Sequence, residues 1–502
     1  MLKQPIVALF GASGFVGRSL LGPVSRRAHS VRCVTRDPDR LSHPLPANAL
    51  PITADLLDAA SLDRVLRGVD LVYYLAHSLA EADGFTDLEA RAALNFARAV
   101  AATGVRRIVY LGALAQVESG DASDHVSSRR RVGEILCASG VPVTEFRASV
   151  AIGAGSMPFE VVRALVERLP MMVMPRWTRM PIQPIAKADL IEYLLAAGEE
   201  SGAASHVYEI GGESVVDYAE LMRCYARRRG LRRLMISVPV ITPRLSSLWL
   251  KLVTPAHFRM GRRIVDSATH ASVVADPSAL AAFPIRPVGV DEAVRDALRE
   301  EQAEVAGLQW GDGDAHAVTR RRRVGTHFVE HRTAVVQASP DVCFDVIRRI
   351  GGDTGWYWGD ALWRLRGALD RLIGGPGMRS GAPREVSPAV GDTIDFWTVE
   401  ACDGVAHLRL RADMKLPGEA FLDLRVIELA EGSCRIEQTA TFNARGVFGL
   451  VYWYVLHPIH ERVFDGMLRG MARSVALEHL ARGSDSRPRL RRATRSTPPA
   501  RP

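Results

Sequence analysis

The chain has 502 residues, room for two or three domains at roughly 150 residues each. Apolar residues make up 47% and charged residues 24%, ordinary globular values that exclude a largely disordered chain, a collagen or a disulfide mini-scaffold. The net charge is +8. Four arginines at Arg320–Arg323, with six arginines and one aspartate from Gly483 onward, already exceed it, so the remainder is near neutral and speaks against a nucleic-acid-binding fold.

Ile6–Phe10 (IVALF) is an unbroken apolar run, the pattern of a parallel strand buried on both faces. It breaks into glycines too soon to be a signal peptide. Further strands are expected at Ser30–Thr35, Pro51–Ala54, Val69–Leu75, Arg107–Leu111 and Val143–Phe146. Between the fourth and fifth, the Ala-rich DLEARAALNFARAVAATG reads as a helix closed by Gly104. This alternation predicts an α/β fold, a Rossmann-like doubly wound parallel sheet. From Ile152 to Glu301 the pattern loosens into a small extra lobe. Helices are expected there at Phe159–Leu169, Lys187–Ala197 and Tyr218–Arg229, with a strand-like VYEIGG before the last.

Residues 302–324, rich in Gly and Asp and ending in the arginine run, read as an exposed linker. The pattern then changes to antiparallel β with helices at both ends. THFVEHRTAVV is a strand, and Pro340 opens a helix capped by Ser339. Strands follow in DTIDFWTVEA, AHLRLRADMK, AFLDLRVIEL and CRIEQTATFN, before a final helix from about Phe448 to Ala481. This predicts an α+β domain over 325–482 in which a curved sheet wraps a helix. The tail 483–502 is low-complexity and expected to be disordered. The longest uncharged apolar stretch, Gly446–His460, holds about 15 residues, short of the roughly 20 a spanning helix needs. The six cysteines lie far apart, without metal-ligand spacing. A soluble, cytoplasmic protein without a structural metal is expected.

The first strand runs into Gly11-Ala12-Ser13-Gly14-Phe15-Val16-Gly17. At a strand-to-helix turn, the first Gly allows the tight turn, the second lets a pyrophosphate approach, and the third lets helix pack on strand. The helix N-terminus adds free N–H groups and partial positive charge. Gly11, Ser13, Gly14, Phe15, Val16 and Gly17 are therefore the expected dinucleotide-binding loop. The second strand ends at Arg36, which suits a ribose 2′-phosphate and favours NADP(H). The adjacent Asp37 keeps NAD(H) open. Asp55 and Leu56 close the third strand beside the expected adenine. Ala76 and His77 close the fourth, near the expected ribose and nicotinamide.

GASGFVG, the arginine after strand two, Ala54-Asp55-Leu56, VYYLAHS at 72–78, RRIVYLGAL and SRRRVGEIL at 128–136 together resemble the short-chain dehydrogenase/reductase superfamily, in its atypical, NmrA-like NAD(P)H-binding branch. FRASVAIG and RMPIQPIAKADL look like that family's later elements, so the resemblance spans about 1–300. Its catalytic members carry a Ser after strand five and a Tyr-x-x-x-Lys on the next helix. Aligned on that pattern, this chain has Ala113 near the Ser, His125 at the Tyr and Arg129 at the Lys. His125 is then the candidate proton donor, and Arg129 a candidate ligand of the nicotinamide ribose or a phosphate. Residues 325–482 resemble a START-like helix-grip domain of unknown function, carried by ASPDVCFDVI, GDTGWYWGDALWRLRG, VGDTIDFWTVEA and ADMKLPGEAFL.

In that half Trp356, Trp358, Trp363, Trp397, Trp453 and Tyr454 either line a cavity for an apolar ligand or simply form a core. His457 and His460, with Glu461 beside them, have a spacing that can share a helix face. Three functions follow: an NAD(P)H-dependent oxidoreductase on an apolar small molecule or quinone-like acceptor, a non-catalytic NADP(H) sensor, or a carrier of an apolar ligand. The arginine tracts are expected to meet nothing more than an acidic partner or membrane surface.

Overall fold

The computed structural model describes residues 4–41, 44–76, 85–116, 124–238, 269–308, 319–378, 388–430 and 432–485. The chain divides into two compact units, Met1–Ala303 and Glu304–Pro502.

The first unit is organised by strands β1 (Ile6–Phe10), β2 (Ser30–Thr35), β3 (Ala49–Thr53), β4 (Leu71–Tyr74), β5 (Arg107–Ala113) and β6 (Val143–Ala148). Short strands β7 (Ala151–Ile152), β8 (Met171–Pro175), β9 (Pro181–Ile182) and β10 (Ile185–Ala186) precede β11 (His206–Ile210); β12 (Val216–Asp217) and β13 (Leu234–Val238) follow it. The main sheet has the order β11-β6-β5-β4-β1-β2-β3, and every pairing in it is parallel. Helices α1 (Phe15–Ser25), α2 (Ala59–Leu66), α3 (Phe85–Thr103), α4 (Asp124–Cys137), α5 (Met157–Arg168), α6 (Lys187–Glu199) and α7 (Tyr218–Arg228) follow in chain order, then α8 (Ser278–Ala282) and α9 (Val290–Ala306).

Alternate residues of β1 feed two cores. Val7 and Leu9 pack with α1 and α6, while Ala8 and Phe10 pack with α2, α3 and α4. Burial on both faces is why these strands read as unbroken apolar runs. On the second face Phe10, Tyr74, Phe96 and Tyr110 interlock, with centroids 4.8–6.3 Å apart. Each such ring contributes about 1.5–3 kcal/mol by leaving water.

One expectation fails here. The sequence pattern places VYEIGG in the small lobe, but β11 is the seventh strand of the main sheet, His206 lying opposite Thr144 of β6. It is an edge strand with partly exposed side chains, so it lacks the apolar run that marks its neighbours.

The second unit is one antiparallel sheet of β14 (Thr319–Val324), β15 (His327–Val336), β16 (Thr393–Ile394), β17 (Trp397–Cys402), β18 (His407–Ala412), β19 (Gly418–Ala430) and β20 (Ser433–Ala444), in the order β14-β15-β20-β19-β18-β17-β16. Helices α10 (Pro340–Ile347), α11 (Asp360–Leu372) and the long α12 (Gly446–Asp485) complete it. The core joins α10, α12 and one face of the sheet.

The arginine run departs from its linker assignment. Arg320–Arg323 lie in β14, paired along β15 from Thr319↔Arg332 to Val324↔His327. Arg321 binds Glu330 at 3.3 Å and also Glu461, and Arg323 lies over the Phe328 ring. Partners on β15 and α12 turn a polar run into an edge strand. The single strand expected from DTIDFWTVEA is two, β16 and β17, broken at Asp395, whose φ is +53°. Helix α11 was not foreseen at all. The final helix runs on to Asp485, past the expected start of the tail; residues from 486 lie outside the described residues. The aromatic cluster is mostly core: Trp356, Trp363, Trp397 and Trp453 are buried, while Trp358 and Tyr454 are exposed. Among the described residues no helix is long and apolar enough to cross a membrane.

Candidate active site at the sheet switch point

Strand order reverses between β1 and β4, and the chain leaves both strands at their carboxyl ends. In an open parallel sheet this opens a crevice. The turn after β1 has little choice of residue. Gly11 has φ +84°, and a Cβ there would sit 2.8 Å from the Leu75 carbonyl carbon. Gly14 N–H donates to Gly11 O at 2.9 Å and closes the turn. Gly14 then caps α1. In the first turn of α1, a Cβ on Gly17 would lie 2.2 Å from Gly11 O. The first turn of α1 holds no acidic residue, so its partial positive charge is not neutralised from within.

These glycines border a cavity of about 780 Å³. Ser13, Phe15 and Val16 line it with them. Arg36 lines it from the β2 loop, Asp55 and Leu56 from the β3 loop, Ala76 from the β4 loop, and His125 and Arg129 from α4. Of the residues expected at the site, two are missing from this set: His77, which lies outside the described residues, and Asp37. Asp37 does not line the cavity. Its carboxylate caps the turn Pro38–Arg40, accepting from Asp39 N–H at 3.2 Å, and pairs with Arg40 at 3.3 Å. Two arginines, Arg36 and Arg40, therefore face the cavity at the end of β2. Asp55 takes the Leu57 N–H at 3.0 Å, and its own N–H and carbonyl are tied to Ser61 Oγ.

Arg129 is only 6% exposed. Its guanidinium donates to the Leu111 carbonyl and lies over the Tyr110 ring, 4.9 Å from the centroid. Tyr110 OH donates to the Arg129 carbonyl at 2.8 Å. Burial pushes the phenols of Tyr74 and Tyr110 well above their ordinary values. Tyr74, which lines the cavity, is therefore a neutral wall and not a proton source at neutral pH. Glu145, on β6 beneath α4, is pushed up by burial; its bond to Arg147 at 2.8 Å pulls it back.

Several lining residues were not foreseen. Arg40 ends the capped turn Pro38–Arg40, which composition does not reveal. Glu89 of α3 is buried and accepts from Ser128 Oγ. Ser149 lies inside FRASVAIG, which the sequence marks only as resembling one of the family's later elements; its Oγ lies 2.6 Å from Ser272 Oγ. His270 and Ser272 line the same cavity, yet they come from a stretch with no helix or strand period. Only their place in the fold reveals them.

The geometry fits a dinucleotide. A glycine turn permits close backbone approach, an unneutralised helix N-terminus faces the cavity, and two arginines stand where the adenosine ribose would lie. Residues 11–140 match the model of a family described as NAD(P)H-binding. Residues 323–467 match that of a protein family of unknown function, DUF2867. Over 292 residues the chain is 29% identical to (4-alkanoyl-5-oxo-2,5-dihydrofuran-3-yl)methyl phosphate reductase of Streptomyces griseus, an alignment covering 56% of this chain and 95% of that protein. Among solved structures it is similar to the NADPH-dependent quinone oxidoreductase QOR2 of Escherichia coli, at 19% identity and a TM-score of 0.48, covering 58% of this chain and 99% of that one. It is also similar to the triphenylmethane reductase of Citrobacter sp., at 15% identity and a TM-score of 0.47, with the same coverages. Residues 11–140 of the N-terminal unit are thus similar to the NAD(P)H-binding family, and they sit on a parallel sheet whose strand order reverses beside the glycine turn.

Proposed function

We propose that the chain is an NAD(P)H-dependent oxidoreductase that reduces an apolar carbonyl compound or quinone-like acceptor. The observation that carries this reading is the opening of the Gly11–Gly17 turn and the α1 N-terminus onto the 780 Å³ cavity. The reductase name of the Streptomyces relative supports the same reaction class. Arg36 and Arg40 support NADP(H) over NAD(H), because a guanidinium matches a 2′-phosphate and Asp37 is spent on its own turn. The bound cofactor would supply hydride. The protein's part is to hold the acceptor and supply a proton. His125, His270, Ser149 and Ser272 line the cavity and carry the groups for it. His125 is the first candidate, since an imidazole exchanges protons near neutral pH and the buried tyrosines do not. Arg129, fixed on Leu111 and Tyr110, is read as a positioning residue.

The test is titration of NADPH and NADH by fluorescence with wild type and Gly14→Asp, followed by NADPH consumption with quinones and unsaturated lactones. Binding that Gly14→Asp abolishes, with turnover slowed by His125→Phe, is the expected result; unaltered binding in Gly14→Asp refutes it. The burial of Arg129, which cannot titrate, favours a second reading, a sensor that binds NADP(H) without turnover. The second unit we read as a helix-grip domain, because a long terminal helix packs on a single antiparallel sheet whose first long strand adjoins its last.

A further inference from the structure

In the first unit, β8 and β13 form a two-stranded parallel ribbon of their own, in which Met171 pairs with Leu234 and Val173 with Ile236. Successive side chains of a strand point to opposite faces. One face carries Met172, Met174 and the partly buried Met235 into the small lobe's core. The other carries Met171, Val173, Leu234 and Ile236, which are 41–60% exposed. The ribbon is therefore apolar on both faces, and one of them is open to solvent. Four large apolar side chains side by side across two strands mark an interaction surface, where scattered single ones would not.

The charge around this face is of one sign. Arg232 precedes β13, and Arg176 and Arg179 lie in the turn that follows β8, so exposed cations stand at both ends of the ribbon. None of the three pairs with a carboxylate among the described residues. From Arg168 to Ala188 the sequence has four cations and no acid, and from Leu221 to Val265 it has eleven cations and no acid. A chain that is near neutral elsewhere thus concentrates positive charge in the two segments that build this ribbon.

These features select the occupant. Because both ends are cationic, a second copy seated face to face would set arginine against arginine. Four half-exposed side chains also fall well short of the roughly 800 Å² per partner that a stable protein interface buries. A bilayer needs no matching shape: apolar side chains enter the headgroup boundary one by one, and arginines beside them meet anionic headgroups.

We propose that the β8–β13 face docks the protein on an anionic membrane surface. The four apolar side chains enter the headgroup layer, and Arg176, Arg179 and Arg232 meet lipid phosphates. Trp177, in the turn after β8, meets Tyr218 of the cavity wall at 5.8 Å, so the docking face adjoins the candidate site. Docking does not depend on the oxidoreductase reading and is measured without cofactor or substrate.

The full chain is sedimented with vesicles of phosphatidylcholine alone and with vesicles in which about one-third of the lipid is phosphatidylglycerol. The expected result is saturable binding to the anionic vesicles that is about tenfold or more weaker on the neutral ones and falls with added salt. Leu234→Thr with Ile236→Thr, which keeps β-branched residues in an exposed strand, should weaken binding about tenfold or more. Arg176→Gln with Arg179→Gln should do the same on anionic vesicles, at about fivefold for each arginine. If the threonine pair does not fold, the arginine pair, which is on the surface, decides the question. No binding to anionic vesicles, equal binding to neutral ones, or binding untouched by the substituted pair overturns the proposal; in the last case the arginines beyond Asp485 would carry the contact. A dimer by light scattering that the threonine pair converts to monomer overturns it in favour of a second copy.

Discussion

Replacing Gly17 by Ala tests how tightly α1 is held against the turn that precedes it. In an ordinary helix the change stabilises, by up to about 1 kcal/mol, because Gly is a poor helix former. Here the added Cβ would stand 2.2 Å from Gly11 O and 2.8 Å from Ala12 Cα. Both obstacles are backbone, so α1 must back away by about 1 Å, at the ~1–3 kcal/mol typical of overpacking. For a unit of this size each kcal/mol is worth about 2–4 °C. The first unit's transition should therefore fall by roughly 2–12 °C in differential scanning calorimetry, and NADPH should bind at least tenfold more weakly because the glycine turn has moved. Gly22→Ala is the internal control on the same helix. Its Cβ would meet only Arg26 Nη1, at 3.7 Å, so it should raise the transition slightly and leave NADPH binding alone. A Gly17→Ala protein that melts at or above wild type, or a Gly22→Ala protein that falls as far, refutes the packing argument.

Arg36→Ala should raise the Kd for NADPH by about tenfold while leaving NADH within about threefold; equal losses for both would mean Arg36 does not read the 2′-phosphate. Burial holds His331 and His460 down at about 4, against about 6.5 when unfolded. The unfolded chain therefore binds more protons between those values, so this stability is complete above about pH 6.5 and lost as pH falls toward 4. Each histidine should withdraw about 2 kcal/mol by pH 5, and a second-unit urea midpoint that is flat between pH 7.5 and 5 would contradict this. Asp395→Ala should cost the second unit about 2–4 kcal/mol, since it orphans Trp356 Nε1 and places Ala at positive φ; Asp395→Asn, which keeps an acceptor and tolerates that backbone, should cost well under half as much in the same urea titration.

Much of the first unit was legible because its strands are buried on both faces. A segment such as IVALF can hardly be anything else, and the spacing of Gly11, Gly14 and Gly17 marks the tight strand-to-helix turn that the fold has there. β11 was misplaced because an edge strand need not be apolar. Arg40, Ser149, His270 and Ser272 were invisible for a related reason: a cavity wall is assembled from the ends of separate elements, and its residues share no period. In the second unit the half-buried strands β19 and β20 announced themselves by alternation. The arginine run did not, because its pairing depends on Glu330 and Glu461, contacts across the fold that composition cannot weigh. Helix α11 was missed beside a Gly- and Trp-rich segment whose punctuation resembles a loop.

That arginine strand has a consequence for the protein at high concentration. Among the described strands β14 closes one side of the second sheet, next to β15, the position at which a passing strand would add to a sheet. Three of its four arginines are exposed. Two such edges from different molecules would bring like charges face to face, and a row of cations on an outer strand is one of the ways proteins discourage edge-to-edge aggregation. Its charge then acts as a guard against self-association, and a chain with valines in place of Arg320 and Arg322 should show by light scattering, as concentration rises, the polymerisation that the native strand resists.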